Sequence, residues 1–194
     1  MSSKNESPNL IWVDCEMTGL DLDKDVLVEI AVLVTDSELN ILGEGVDLVI
    51  KTTAEQLAGM NEFVTNMHTE SGLITEIPNG VEISKAEAEI IAYLEKYAPG
   101  AGKSPLAGNS VGTDRSFIAR DMPLLNTYLH YRTIDVSSIK ELARRWNPKA
   151  YFNAPAKTGN HRALGDIQDS IAELAYYRSA IFNDASAQGS EDAK

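Results

Sequence analysis

Asp14 and Glu16 stand two residues apart in Trp12-Val-Asp14-Cys-Glu16, at the end of the apolar run Leu10-Ile-Trp-Val13. A strand repeats its side-chain direction every second residue, so both carboxylates leave one face. Two such acids can share hard cations, although acid pairs also occur on solvated strands. Asp114 lies in Asn109-Ser-Val-Gly-Thr-Asp114, at a strand-to-helix corner where α/β sites gather. Its ordinary alternative is helix capping, by itself or by Thr113. His161 and Asp166 open the last helical pattern, five residues apart. That gap turns about 500° on an ideal helix, so the two cannot share a helix face. His161 therefore belongs to the Lys157–Asn160 loop or the first turn, and Asp166 to the helix. Four carboxylates can hold two divalent ions about 3.5–4 Å apart, activating a water and stabilising a leaving oxygen. Oxygen ligands favour Mg²⁺ or Mn²⁺ over zinc. A histidine titrating near neutrality can accept the water's proton, whereas alone it would be an ordinary surface residue.

The surrounding pattern must position these groups. Leu10–Val13, Val26–Thr35 and Ile41–Ile50 read as three consecutive strands, with Asn40 at the turn between the last two. Residues 52–79 read as short helices and a loop. Ser84–Tyr97 reads as a helix with Ala88, Ile91, Ala92 and Leu94 inward and a Ser84/Glu87 capping box. Pro105–Ala107 and Tyr131–Val136 read as strands four and five. Helices are expected from Asp114 to a stop or bend at Pro123, from a Ser138/Glu141 capping box to about Trp146, and over Ala163–Ile181. In the last, Leu164, Ile167, Ile171, Leu174 and Ala175 should face the core. This order predicts an α/β fold: one five-stranded mixed sheet flanked by helices. Residues 9–182 form the domain, with a flexible polar start at 1–8 and a disordered polar tail at 183–194.

Composition narrows the class. The 194 residues are 43% hydrophobic and 24% charged, as expected for one soluble globular domain. No apolar run is long enough to span a membrane, and the start lacks the apolar core of a secretory signal. Cys15 is the only cysteine, which excludes an internal disulfide and points to a reducing cytoplasm. The net charge of −12 argues against a long nucleic-acid track. The charge is uneven, however. Residues 1–100 carry 5 Lys+Arg and 19 Asp+Glu, whereas 115–162 carry 9 basic residues against Asp121, Asp135 and Glu141. Such a cluster is usually a solvated face, but here it lies between two candidate metal carboxylates.

Five segments carry a resemblance to a known family: Trp12-Val-Asp14-Cys-Glu16-Met-Thr-Gly-Leu20, Gly108-Asn-Ser110 through Asp114-Arg-Ser-Phe117, Tyr131-Arg-Thr-Ile-Asp135-Val-Ser137, Lys140-Glu-Leu-Ala-Arg-Arg-Trp146, and His161-Arg-Ala163 through Asp166-Ile167. From about Leu10 to Phe182 the chain resembles the DEDDh exonucleases, and among them the oligoribonuclease family. The resemblance implies an RNase H-like fold and a cytoplasmic homodimer. It also implies 3′-to-5′ hydrolysis of short single-stranded RNA, dinucleotides best, to nucleoside 5′-monophosphates. It assigns Asp14, Glu16, Asp114 and Asp166 to two Mg²⁺ or Mn²⁺ ions and His161 to the general base. Leu20 would wedge between bases and Phe63 stack on one. Ser110, His68, Arg132 and Ser137 would cap a 5′-phosphate, with Tyr131 reaching in from the partner. Arg132 offers a planar fork for phosphate, and Ser137 stands before a helix whose N-terminus favours anions. Ordinary roles for these residues are core packing for Phe63, capping for Ser137 and a strand aromatic for Tyr131. Phe63 replaces a common Trp, and Gly165 a common Asp. Two alternatives stay open on the residues alone: a DEDDh DNA exonuclease, and a non-catalytic RNA-binding module on the same fold.

Overall fold

Strand β1 (Leu10–Met17) lies at the centre of a five-stranded sheet, because its side chains divide between two apolar layers. The computed structural model describes residues 8–156 and 161–182. Ile11, Val13 and Cys15 enter one core, and Trp12 enters the other. Strand β2 (Leu27–Thr35) is buried along its whole length, matching its run of β-branched and aliphatic residues. It pairs antiparallel with β1 and with β3 (Ile41–Val49). Short strands β4 (Leu106–Gly108) and β5 (Thr133–Asp135) add on the far side, parallel to β1. The order is β3-β2-β1-β4-β5, the expected mixed sheet.

The region after β3 holds α1 (Ala54–Ala58), α2 (Glu62–Glu70), α3 (Leu73–Glu76) and a 3₁₀ turn at Ile77–Asn79. Then come α4 (Ile83–Tyr97), α5 (Gly112–Asp121), α6 (Pro123–Tyr128), α7 (Val136–Trp146), α8 (Pro148–Phe152) and α9 (Ala163–Ile181). Ala86, Ile90 and Leu94 of α4 cover one face of the sheet together with Phe117, Ile118 and Leu125 of α5 and α6. Ile167, Ile171, Leu174 and Tyr177 of α9 cover the other face, over Trp12. No helix among the described residues is long and apolar enough to cross a membrane. The expectations for residues 1–7, 157–160 and 183–194 fall outside the described residues.

Several local expectations are corrected. Strand β1 does not stop at Val13: it pairs with β2 as far as Glu16↔Glu29 and Met17↔Leu27, so the acid pair lies inside the strand. Pro123 does not merely end a helix but starts α6, where its missing N–H costs nothing. Neither capping box forms. Helix α4 starts one residue before Ser84 without a side-chain cap, and α7 is capped by Asp135, which accepts from the Ser137 N–H at 2.9 Å. Ala88 and Ala92 of α4 and Ala175 of α9 face outward, because Ile90, Leu94 and Tyr177 bury far more apolar surface.

Glu87, freed from any box, is buried and accepts the N–H groups of Leu124 and Leu125 at 2.8 and 3.0 Å. A carboxylate of α4 thus caps the start of α6. Glu87→Ala should lower stability by about 1–3 kcal/mol through the lost cap and an unsatisfied buried donor. Glu87→Gln keeps an accepting oxygen and should cost clearly less; urea unfolding of both variants checks the order.

Candidate active site

The carboxylates of Asp14, Glu16 and Asp166 each bring an oxygen within 4.8 Å of the others. Asp14 and Glu16 share the face of Trp12, which turns toward α9, and Asp166 sits in the first turn of that helix. The expected spacing thus converges in space. The cluster lies past the end of β4, whose last pairing with β1 is Trp12↔Ala107. Gly108 ends β4 close against β1: a Cβ there would stand 2.9 Å from the Val13 carbonyl oxygen.

Asp114 takes over where β4 stops. Its Oδ1 accepts the Cys15 N–H at 2.9 Å, giving a backbone donor of β1 the partner that a longer strand would have supplied. It is therefore not a helix cap, and no side chain caps α5. Its carboxylate is buried behind the cluster rather than inside the group of three. Burial pushes its acidity down, to a pKa of about 6, against the hydrogen bonds it accepts. Burial and the nearby acids raise the Cys15 thiol well above its ordinary value, so Cys15 packs and is no nucleophile.

Glu16 is the most perturbed of the cluster acids with a resolved shift. Burial first, then Glu29, Asp166 and Asp114, push its pKa up to about 8, with Arg162 opposing. An oxygen donor set of this kind fits hard divalent cations.

Glu29 was not anticipated as part of the site. Fully buried opposite Glu16 on β2, it accepts Arg162 Nε at 2.8 Å and the Ala163 N–H at 3.0 Å. It thereby fixes the start of α9, and with it Asp166. Arg162 also donates to Glu76 at 2.8 Å. The signal was present in the sequence: one charged residue within an otherwise apolar strand. His161 precedes this anchor, exposed, with a backbone φ of 49°.

The residues expected to touch substrate take distinct places. Leu20 is 75% exposed on a braced loop. Thr18 Oγ1 and the Asp21 N–H both donate to Asp25, and Arg120 donates to the carbonyls of Leu22 and Asp25. Gly19 leaves room for this carboxylate: a Cβ there would meet Asp25 Oδ2 at 2.4 Å, and Asp25 would have to shift. Phe63, in the first turn of α2, is also 75% exposed, so it is not core. Ser110 and Ser137 meet, oxygen to oxygen, at 3.0 Å. Ser137 lies inside the first turn of α7, and its N–H is already taken by Asp135, which also accepts the Ser110 N–H. At that helix end the Ser137 N–H is therefore engaged, and the Ser110 and Ser137 hydroxyls stand side by side. Arg132 and Tyr131 are exposed and lie against each other, 5.3 Å from guanidinium carbon to ring centre. His68 differs from expectation most. Its ring is sealed in the core, Nε2 meets the Met17 carbonyl at 2.9 Å, and Nδ1 is 4.0 Å from Glu16, too far for a hydrogen bond. In this arrangement it packs against a cluster acid and has no open face for a phosphate.

The pKa shifts set a pH dependence. Between the ordinary 4.5 of a glutamate and about 8, the folded protein keeps a Glu16 proton that the unfolded chain has released. Stability without metal must then fall as pH rises through that window, and Asp114 acts in the same direction up to about 6. Melting temperatures in EDTA should drop from pH 5 to pH 8, Glu16→Gln should flatten the slope, and Mn²⁺ should raise stability most at pH 8.

A family model described as an exonuclease (RNase T type) matches residues 11–174. An oligoribonuclease of Streptomyces avermitilis is 60% identical over 185 residues, 95% of this chain and 92% of that protein. One of Mycobacterium avium is 56% identical over 174 residues, 89% and 81% respectively. Among solved structures, an Escherichia coli exonuclease I–single-stranded DNA complex aligns with a TM-score of 0.72 at 17% identity, over 92% of this chain. At that identity the likeness concerns the fold, and this chain spans only 42% of that protein.

Proposed function

Because the chain belongs to the RNase T-type exonuclease family, among its oligoribonucleases, we propose that it hydrolyses very short RNA from the 3′ end, releasing nucleoside 5′-monophosphates. The observation that carries this reading is the convergence of Asp14, Glu16 and Asp166 beside the buried Asp114. Bound at these oxygens, two divalent ions, Mg²⁺ or Mn²⁺, supply positive charge and Lewis acidity at the scissile phosphate. The chain's own residues do the rest. Glu29 and Arg162 hold the start of α9, so that Asp166 meets the strand acids. His161, next to that anchor, takes the proton of the attacking water. Leu20, on its braced loop, separates bases, and Phe63 stacks on one. Ser110 offers its hydroxyl and Arg132 a planar cation to a terminal 5′-phosphate, with Ser137 beside Ser110 in the cap. A reducing cytoplasm suits the single thiol.

The cap makes the site a ruler. A longer RNA has no free 5′-phosphate at that distance from the metals, and the net charge of −12 disfavours added phosphates outside the site. The test is kcat/KM on 5′-phosphorylated RNA from dinucleotide upward, with product identification and matched DNA. Dinucleotides should be turned over best, and Arg132→Ala should weaken short substrates more than long ones. Equal or better efficiency of the wild type on long strands would sink the ruler; equal efficiency on DNA would make it a general exonuclease.

We also propose a homodimer, with Tyr131 reaching the partner's site. Tyr131 is 73% exposed, and Leu142, Trp146 and Phe182 leave an apolar groove between α7 and the end of α9 that a second copy can cover. Light scattering should give a dimer, and Trp146→Glu should shift it toward monomer with lower activity. A fully active monomeric wild type would overturn this.

A further inference from the structure

Asn109 is the central residue of Gly108-Asn-Ser110, between the glycine that lies close against β1 and the serine of the cap. It is half-buried at the end of β4, and every polar atom of its side chain is engaged. Its Nδ2 donates to Ser170 Oγ at 2.8 Å and to Glu173 Oε2 at 3.2 Å, both on α9. Its Oδ1 accepts from Ser137 Oγ at 3.0 Å. Glu173 is 2% exposed and is also held by Lys140 Nζ at 3.1 Å. Ser170 Oγ in turn donates to the Asp166 carbonyl at 2.8 Å. One amide therefore joins the serine pair to the helix that carries a cluster acid.

The chemistry fixes the direction of this chain. An ionised carboxylate only accepts, so the amide nitrogen must face Glu173 and the amide oxygen must face Ser137. Ser137 has one hydroxyl hydrogen and spends it on Asn109. Between the two serines the donor is then Ser110. When a phosphate arrives, Ser110 can turn its hydrogen to it without disturbing the link to α9, whereas Ser137 cannot.

We propose that Asn109 is a positioning residue for substrate length and 5′-phosphate recognition: it fixes the Ser110–Ser137 pair relative to α9, and so sets the span from cap to metal site. This rests on the function proposed above. The test compares kcat/KM for a 5′-phosphorylated dinucleotide and its 5′-hydroxyl counterpart, with Mn²⁺ affinity measured by calorimetry. Asn109→Asp keeps the acceptor for Ser137 but removes both donors and sets two carboxylates face to face. It should lower the preference for the 5′-phosphate by roughly tenfold or more, the scale of one hydrogen bond to a charged group. The change should appear in KM, with Mn²⁺ affinity retained. Adding Glu173→Gln supplies an amide donor from the other side and should restore most of the preference.

An unchanged preference in folded Asn109→Asp overturns the proposal. So does an equal loss on both dinucleotides accompanied by lost Mn²⁺ affinity, or a double variant that restores nothing. If Asn109→Asp does not fold, Ser170→Ala, which removes one oxygen, carries the test: a smaller fall in the same ratio supports the link, and an unchanged ratio overturns it. A wild type without any 5′-phosphate preference overturns the cap itself, whereas a wild-type preference that survives these changes overturns only the role of Asn109.

Discussion

Asp14, Glu16 and Asp166 repel one another, and the fold holds them together all the same. Burial first, and then the neighbouring carboxylates of Glu29, Asp166 and Asp114, make Glu16 hold its proton more tightly than an ordinary glutamate. Much of the architecture can be understood as restraint against this repulsion. Two acids are fixed by an eight-residue strand paired on both sides. The third arrives on a nineteen-residue helix packed over Trp12. Glu29 then ties the first residues of that helix to β2 through one backbone and one side-chain donor. The restraint is itself anionic, and Arg162, shared between Glu29 and Glu76, brings positive charge to it.

A second restraint works at the other end of the binding surface. Asp135 accepts two backbone N–H groups, one from the turn after β4 and one from the first turn of α7. This draws two separate chain segments together, with a hydroxyl from each side by side. The Ser110 backbone is left-handed there, with φ 54°, a conformation that costs energy in a non-glycine residue and that the Asp135 contact helps hold.

The sheet and the last helix were legible in the sequence because long apolar runs and clean periodicity leave little choice. Ala163–Ile181 was read to the residue, and the three early strands to within a few positions. What escaped was tertiary. The apolar run ends at Val13 and puts the acid pair at the strand's end, whereas pairing with β2 carries β1 on to Met17. Glu87 and Ser138 looked like parts of local capping boxes. One instead caps a different helix, and the other yields to Asp135. Local pattern shows which donors need partners; it does not show which acid across the fold will meet them. His68 illustrates the same limit, since a histidine on a short amphipathic helix can face a pocket or the core, and here packing decides. Glu29 could have been noticed, because a lone charge within a buried strand needs a partner.

The alternation along β1 has a consequence for how this chain can change over generations. Odd-numbered residues from Ile11 to Cys15 fill one core, and even-numbered ones carry Trp12 and the acids toward the other. A single-residue insertion or deletion within the strand would exchange the two sets, driving carboxylates into the packing under α4 and aliphatic groups into the reaction site. Such length changes are therefore closed to this strand whatever else compensates. The turn between β2 and β3, at the far end of the sheet, alternates no acids with core residues and is not bound by this rule. Length variation among descendants of this chain should accumulate in the β2–β3 turn and stay away from the strand that carries the acids.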